Sequence, residues 1–348
     1  MDYNNIELIY YRNVKRYSFL IISNHIILQT KKHIVMKNKN YLHAILAVLL
    51  LSACNNSNGI ISPFDEQPIT VTADVVQHTR AGYQSNVLLP EKFVMDITQN
   101  GDTKFDYSLV EMTKSGTNTY STSTDHKLLW ADDTHDATVK AMTIPMGLTT
   151  VDGTNAMKIK VSLEQNEESN VAKSDLLGAT SESNGGITIN GTNINIEFQH
   201  LLSKLDIKYE FDSNIEGTSI VINSITLQNI CTEGEYSYAN MALATTGLTN
   251  GNITMFLNAT TTRMGTAEAI FYPYKPTENP TLVINATIDG ENCNFSCPVV
   301  PNDTSNGFVS GKRYSMTVTI VGTSVNGTVA TIANGWDTNT KEESFVTE

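Results

Sequence analysis

The stretch ITINGTNINIEF, residues 187–198, decides the fold class. It contains two runs in which apolar and polar residues alternate, and the pair Asn190-Gly191 separates them. Alternation with a period of two is typical of a strand with one face against a core. Asn-Gly accepts the positive φ angles that tight hairpin turns require. The stretch therefore predicts a β-hairpin.

The same pattern recurs along most of the chain. The candidate strands include Pro68–Gln77, Lys92–Thr98, Phe105–Met112, Thr138–Ile144, Met157–Leu163, Leu205–Phe211, Thr218–Leu227, Ile253–Leu257, Ala267–Tyr272, Thr281–Ile288, Tyr314–Val321 and Gly327–Ile332. Turn signals such as Asn250-Gly251, Asp289-Gly290 and Asn326-Gly327 separate them, and amphipathic helical periods are nearly absent. Short strands at regular spacing favour an all-β fold over a parallel α/β sheet. They are too many for one sandwich, so we expect two in tandem, dividing near Asp212-Ser213-Asn214.

A second informative region lies near the N-terminus. The apolar run Leu42–Leu51 follows Lys37 and Lys39 and is too short to span a bilayer, which needs about 20 apolar residues. A basic segment, an apolar run and a small-residue cleavage site together indicate an export signal. The run ends in Leu51-Ser52-Ala53-Cys54, which matches the bacterial lipobox. We therefore expect a signal peptide at 36–53 and lipidation of the Cys54 thiol.

Residues 1–35 precede this signal. Met36 followed by Lys37 is a better signal-peptide start than Met1, so we interpret 1–35 as an over-extended gene start and leave it out of the fold prediction. The alternative is a genuine N-terminal extension.

Charge and cysteine content narrow the function classes. The formal net charge is −13, which argues against nucleic-acid or anionic-membrane binding through charge. Cys293 and Cys297 are four apart in a predicted strand, so roughly 13 Å separates them and they cannot bridge each other without a turn. Cys231 could pair with one of them, but we favour buried free cysteines. No zinc-site spacing is present.

The sequence contains no recognisable catalytic constellation. Metalloprotease, hydrolase, P-loop and dinucleotide motifs are all missing. His126 and His135 lie among aspartates, but their spacing matches no zinc or EF-hand pattern. The acidic pairs Glu167-Glu168 and Glu342-Glu343 fall in segments that look like polar loop or tail, and no aromatic platform for sugars is evident. We expect no enzyme, no cofactor and no metal site.

Four segments together resemble the fimbrillin (type V pilin) family of Gram-negative anaerobes. Phe198–Ile207 is similar to the family's F-x-H-x-x-[SA]-[KR]-L strand, and Asp175–Thr180 to the element that precedes it. Gly311–Thr319 is similar to the [AS]-G-K-x-Y strand, and Asn334-Gly335-Trp336 to the closing tryptophan. The resemblance covers roughly residues 65–340. His200 within it is expected to be a packed or hydrogen-bonded structural histidine rather than a ligand.

The resemblance implies a fold and an assembly route. The fold would be two tandem transthyretin-like β-sandwich domains, 81–213 and 214–348, after a lipidated propeptide at 54–80. An Arg-specific protease would cut between Arg80 and Ala81, and a neighbouring subunit's strand would fill the groove left by the N-terminal strand. The side chains expected on that removable strand's inner face are Ile69, Val71, Ala73 and Val75. Partners would be other fimbrial subunits, the protease, and the outer membrane while the precursor keeps its lipid.

The position in a fimbrium stays open between several roles. Only twelve residues follow Trp336, and Phe345 and Val346 are their only large apolar groups, so this tail is a poor donor unless Gly327–Ile332 also swings out. That favours a tip or accessory subunit for cell adhesion over a stalk subunit, with an anchor as another option. A surface glycan-binding lipoprotein that keeps its lipid anchor is the alternative function, and an envelope hydrolase is the more remote one.

The lipobox generates a direct test. Cys54→Ala removes the thiol that accepts the lipid, so incorporation of labelled palmitate and surface delivery should both be lost. Cys293→Ala is the matched control and should leave labelling unchanged. Palmitate labelling that persists in Cys54→Ala would contradict the lipid anchor.

Overall fold

A computed structural model describes residues 67–75, 89–99, 103–122, 127–181, 186–213, 215, 219–259, 263–321 and 324–332. All of them lie within one compact unit, Ser62–Glu348. Cys54, Arg80, Ala81 and the tail after Ile332 lie outside the described residues, so the expectations placed on them stay predictions.

The described chain is almost entirely β-structure, which confirms the predicted all-β class. The strands are β1 (Thr70–Val75), β2 (Lys92–Gln99), β3 (Tyr107–Lys114), β4 (Thr119–Thr122), β5 (Ala137–Thr143), β6 (Met157–Lys160), β7 (Leu177–Thr180), β8 (Ile187–Asn190), β9 (Asn193–His200), β10 (Ser203–Phe211), β11 (Ile220–Ser237), β12 (Ala242–Leu243), β13 (Thr249–Thr254), β14 (Phe256–Ala259), β15 (Met264–Phe271), β16 (Thr281–Ile288), β17 (Glu291–Pro298), β18 (Arg313–Val321) and β19 (Ser324–Ile332). One α-helix, α1 (Glu168–Ser174), and a 3₁₀ turn (Thr103–Phe105) complete the elements.

The first sheet contains eight strands in the order β1-β4-β3-β2-β5-β7-β9-β8. An additional parallel pairing joins β1 to β9. The pairings β1–β4–β3–β2–β5–β7–β9–β1 therefore form a complete circuit, and β8 extends it as a hairpin on β9. Because the circuit passes through β1, this strand has a hydrogen-bonded neighbour on each side.

The remaining described strands form two further sheets. The second has five strands in the order β14-β15-β10-β18-β19, with a parallel pairing between β10 and β18. The third is organised around the 18-residue β11, with β16 and β17 on one side and β6, β12 and β13 pairing with β11 along its length. Apolar side chains of both sheets contribute to a single buried cluster, so these two sheets enclose one core.

The described residues form two hydrophobic cores. One lies inside the first sheet and includes Phe93, Trp130 and Phe198, all fully buried. The other lies between the second and third sheets. The chain passes from β9 in the first sheet to β10 in the second between His200 and Ser203. Asp212, the first residue of the predicted domain division at 212–214, follows β10 of the second sheet; the division itself stays a prediction.

The hairpin turns follow the sequence prediction in part. Asp289-Gly290 forms the two-residue loop between β16 and β17, and both residues have positive φ (49° and 90°). The opening hairpin is also present, but its loop is Gly191-Thr192, because Asn190 pairs with Asn193.

Two predicted turn signals are wrong. Asn250-Gly251 lies within β13 and Asn326-Gly327 within β19. Gly251 is explained by close packing and not by a turn. A Cβ added there would lie 2.9 Å from Thr232 Oγ1 on β11, whose pairing with β13 contains bulges. Glycine therefore permits close strand approach here.

The helix corrects one expectation about the acidic pair. Glu168 begins α1 instead of lying in a loop, and Glu167 immediately precedes the helix. A carboxylate in the first turn suits the positive end of the helix dipole, so the pair has a structural explanation. No helix among the described residues is long and apolar enough to cross a membrane.

Candidate functional site

The first sheet holds β1 as a central strand. On one side, six residues of β1 pair in parallel with β9, from Thr70 opposite Asn193 to Val75 opposite Phe198. On the other side, β1 pairs antiparallel with β4, and its N-terminal end binds the segment 128–130. The backbone of Ile69 donates to Leu128 O at 2.8 Å. We call the space that β1 occupies between β9, β4 and 128–130 the β1 slot.

The inner face of β1 is fully packed into the first core. Ile69, Val71, Ala73 and Val75 are all buried, with Val71 only 2% exposed. These are the four residues that the sequence assigned to the inner face of a removable strand. Burying a Val or Ile side chain contributes about 1.5–3 kcal/mol, so the three large ones contribute roughly 5–9 kcal/mol. That is comparable with the stability of a whole domain, about 5–15 kcal/mol, so an empty β1 slot would need to be refilled.

The outer face of β1 carries a ladder of hydroxyl and amide groups. Thr70 Oγ1 donates to Asn193 Oδ1 at 2.9 Å, and Thr72 Oγ1 donates to Asn195 Oδ1 at 2.8 Å. Asn193 Nδ2 donates to Thr72 Oγ1 at 3.1 Å, which links the two rungs. The parallel register places each threonine directly opposite its asparagine. The ladder forms only in this register. A one-residue slip would break it and would also turn every inner side chain of β1 outward.

Aromatic residues surround the β1 slot. Trp130 is fully buried; its backbone N–H donates to Gln67 O at 3.0 Å and its indole Nε1–H to Thr192 O at 3.1 Å. It therefore bonds both the chain entering β1 and the loop before β9. Phe93 packs between Tyr120 and Phe198, with ring centroids 4.8 and 5.2 Å away.

Tyr120 has an apolar ring and a satisfied hydroxyl. The hydroxyl donates to Pro90 O at 2.8 Å. Burial, with smaller contributions from the carboxylates of Glu91 and Asp74, raises the pKa of Tyr120 to about 12. The hydroxyl therefore stays neutral at physiological pH, and this wall of the β1 slot holds no buried charge.

The sequence predicted the apolar face of β1 but not the residues that contact β1 from the rest of the first sheet. The threonine–asparagine ladder and the Trp130 contacts were not predicted. A signal existed for the ladder, since Thr70 and Thr72 alternate with apolar residues just as Asn193 and Asn195 do. The parallel pairing that joins them spans more than 120 residues, and local patterns carry no information about such a pairing.

At the opposite end of the chain, β19 is an edge strand. It pairs antiparallel with β18 alone in the sheet order. Its first six residues read SVNGTV (324–329), and β1 reads TVTADV (70–75). Both have the order hydroxyl residue, valine, polar, small, polar, valine. In the register with β18, Val325, Gly327 and Val329 stand opposite the buried residues Ile320, Val318 and Met316.

Other candidate residues have structural partners. His200 is buried, and its Nδ1 lies 2.8 Å from Asp175 Oδ2, which confirms the expected structural histidine. His135 packs on Trp130 with ring centroids 5.0 Å apart. The described part of the chain contains no cluster of three or more potential metal ligands, and Cys231, Cys293 and Cys297 are free.

The fold and the β1 slot define an all-β protein in which the first described strand completes the first sheet. Comparison with protein families identifies the class more closely. A family model described as fimbrillin-like matches residues 79–336. The chain belongs to the fimbrillin-like family, which confirms the resemblance found in the sequence.

Solved structures support the same fold. One provisionally named cell adhesion protein from Bacteroides uniformis ATCC 8492 is 19% identical, with a TM-score of 0.54 over 77% of this chain and 97% of that chain. Another from Bacteroides ovatus ATCC 8483 is 17% identical, with a TM-score of 0.56 over 78% and 98%. The tip fimbrial protein Mfa3 from Porphyromonas gingivalis, with C-terminal truncation, is a more distant match, at 11% identity and a TM-score of 0.45 over 78% and 100%. No curated protein matches the sequence.

The packing of β1 leads to a stability prediction. Val71→Asp places a charge in the apolar β1 slot, so the free energy of unfolding should fall by about 3 kcal/mol or more. Thr70→Asp, on the exposed face of the same strand, loses the two surface hydrogen bonds of the Thr70 hydroxyl, to Thr192 O and Asn193 Oδ1, and should cost only about 1 kcal/mol. Urea denaturation of both variants measures the difference. Equal losses would contradict the assigned inner and outer faces.

Proposed function

We propose that this chain is the precursor of a fimbrial subunit that acts through assembly and adhesion rather than catalysis. The observation that carries the proposal is the position of β1. It is the first described strand, it completes the circuit of the first sheet, and it ends five residues before Arg80. A strand that is central in the sheet and precedes all the other described strands is suited to replacement, because a cut after Arg80 would separate it and leave β2 to β19 on one continuous chain.

The N-terminal segment would act in two stages. Lipid on Cys54 holds the precursor at the outer membrane, and an Arg-specific protease then cuts between Arg80 and Ala81. The lipid leaves with β1, and the subunit enters fimbriae at the cell surface. Membership of the fimbrillin-like family supports this order of events.

The opened β1 slot would be filled by donor-strand exchange. Loss of β1 leaves unpaired backbone groups on β9 and β4 and an apolar cavity where Ile69 to Val75 lay. An incoming extended segment can satisfy both requirements. The 324–329 segment of a second subunit has a suitable pattern, with Val325, Gly327 and Val329 in the places of Val71, Ala73 and Val75. It is an edge strand, so it can leave its sheet by breaking pairings with β18 alone.

The two cores support a further structural proposal. We infer that they correspond to the tandem transthyretin-like β-sandwiches that the sequence suggested, one built on the first sheet and one on the second and third. Within a fimbrium we favour a tip or accessory position, and a 324–329 segment that proves to be a donor would favour a stalk position instead.

Proteolysis tests the removal of β1. Treatment of the precursor with an Arg-specific protease should expose Ala81 as a new N-terminus, detected by sequencing and intact mass. Arg80→Lys keeps the charge but removes the recognised side chain, so it should remain uncut. Arg313, whose side chain is largely buried, serves as an internal control for unfolding. A treated protein that keeps residues 69–77 would contradict strand removal and favour the glycan-binding lipoprotein.

Peptide binding tests the donor segment. A synthetic peptide of residues 324–348 should bind the protein cut after Arg80 but not the uncut precursor. A matched peptide with Val329→Asp loses a buried valine worth about 1.5–3 kcal/mol and should bind at least about tenfold more weakly. Fluorescence anisotropy measures both affinities. Equal binding of the first peptide to cut and uncut protein would show that this segment is not the donor.

A further inference from the structure

Four charged side chains meet on one face of the second sheet. Lys204 and Asp206 lie on β10, Glu268 on β15 and Arg313 on β18. The register places Asp206 opposite Glu268 and Lys204 opposite Arg313, so like charges are side by side and opposite charges meet diagonally. Lys204 Nζ lies 2.5 Å from Glu268 Oε2 and 3.6 Å from Asp206 Oδ1, while Arg313 Nε donates to Asp206 Oδ2.

This cluster is shielded from water. The side chains of Lys204 and Glu268 are 10% and 11% exposed, and Lys204 is the buried lysine among the described residues. Phe256 stands opposite Glu268 on β14, and Ile270, two residues after Glu268 on β15, is 1% exposed. Burying charged groups away from water costs free energy, so a buried ion pair that becomes neutral removes part of that cost.

The four groups are not equivalent. Arg313 binds Asp206 Oδ2 directly, so that carboxyl group has a cationic partner besides Lys204. Burial raises the pKa of Glu268, and Glu268 Oε1 is buried without a hydrogen-bond partner. Burial alone would lower the pKa of Lys204, but the Asp206 and Glu268 carboxylates raise it. The resting pair is therefore ionic, and its neutral form is a minor species.

We propose that Lys204 and Glu268 condense to an intramolecular amide that links β10 to β15. The ammonium gives one proton to Glu268 Oε2, which leaves a neutral amine beside a carboxylic acid. The Lys204 Nζ lone pair then attacks Glu268 Cδ. Asp206 takes a proton from the attacking nitrogen and returns it to the departing hydroxyl, so one N–C bond forms, one C–O bond breaks and one water leaves.

The geometry supports this reaction in two ways. An amine and a carboxyl held in contact react as if at an effective concentration of about 10⁵–10⁸ M, which compensates for a scarce neutral form. Asp206 Oδ1 has no hydrogen-bond partner and is the carboxylate oxygen that faces Lys204 Nζ, so it can accept the proton. The condensation also replaces a buried ion pair by a neutral amide. The condensation requires no oxidant, no metal and no second protein.

Peptide mapping of the purified full-length chain tests the proposal. After denaturation, trypsin should fail to cut after Lys204, because its amine is acylated. A branched peptide should join the 204 region to the 268 region, with a mass one water molecule below the sum of its parts. Lys92 and Glu111 are the matched control, since they are 2.7 Å apart but exposed, and trypsin should cut after Lys92 normally. Complete cleavage after Lys204 with no branched peptide would overturn the proposal.

Three variants assign the roles. Lys204→Arg and Glu268→Ala should each abolish the branched peptide. Asp206→Asn keeps the shape of the side chain but removes the proton acceptor. The rate at which the branched peptide forms should therefore fall at least about a hundredfold. An unchanged rate in Asp206→Asn would contradict the role of Asp206. The map of the unaltered chain decides whether the bond exists even if a variant fails to fold.

Discussion

A strand inside a sheet must have its backbone N–H and C=O groups paired on both sides, and the rest of this structure depends on that constraint. Groups left unpaired away from water cost free energy comparable to a lost hydrogen bond. In this chain β1 meets the requirement from both β9 and β4. Since β1 is the first described strand and completes the first sheet, the proposed strand exchange would use the same backbone pairings that hold this sheet together.

The strand alternation in the sequence predicted the all-β class, many of the strands and the inner face of β1. Ile69, Val71, Ala73 and Val75 were predictable because a period of two is a local property. Asp289-Gly290 was predictable because its positive φ angles are intrinsic to those residues. Asn250-Gly251 was not, since only the approach of Thr232 from another strand explains the glycine.

What the sequence could not supply was the pairing of distant segments. Local patterns do not state that β1 lies parallel to β9, or that the chain changes sheet before β10 rather than after it. These features depend on contacts between residues far apart in the chain. The family resemblance could not supply them either, because its motifs are single strands. Lys204 and Arg313 fall within two such motifs, and only the parallel pairing of β10 with β18 places them opposite each other.

The centre of the second sheet is held by more contacts than its β19 edge. At its centre, β10 pairs with β15 and β18, and the Lys204, Asp206, Glu268 and Arg313 side chains join all three strands. At its edge, β19 pairs with β18 alone among the described strands. If β19 is pulled away from the sheet, the force acts first on β18 and then on the charged side chains of Lys204, Asp206, Glu268 and Arg313. The proposed donor role of β19 would require a sheet that releases its edge without losing its centre, and the charged contacts on β10, β15 and β18 are consistent with that requirement. An amide between β10 and β15 would strengthen the centre further while leaving the β18–β19 pairing unchanged.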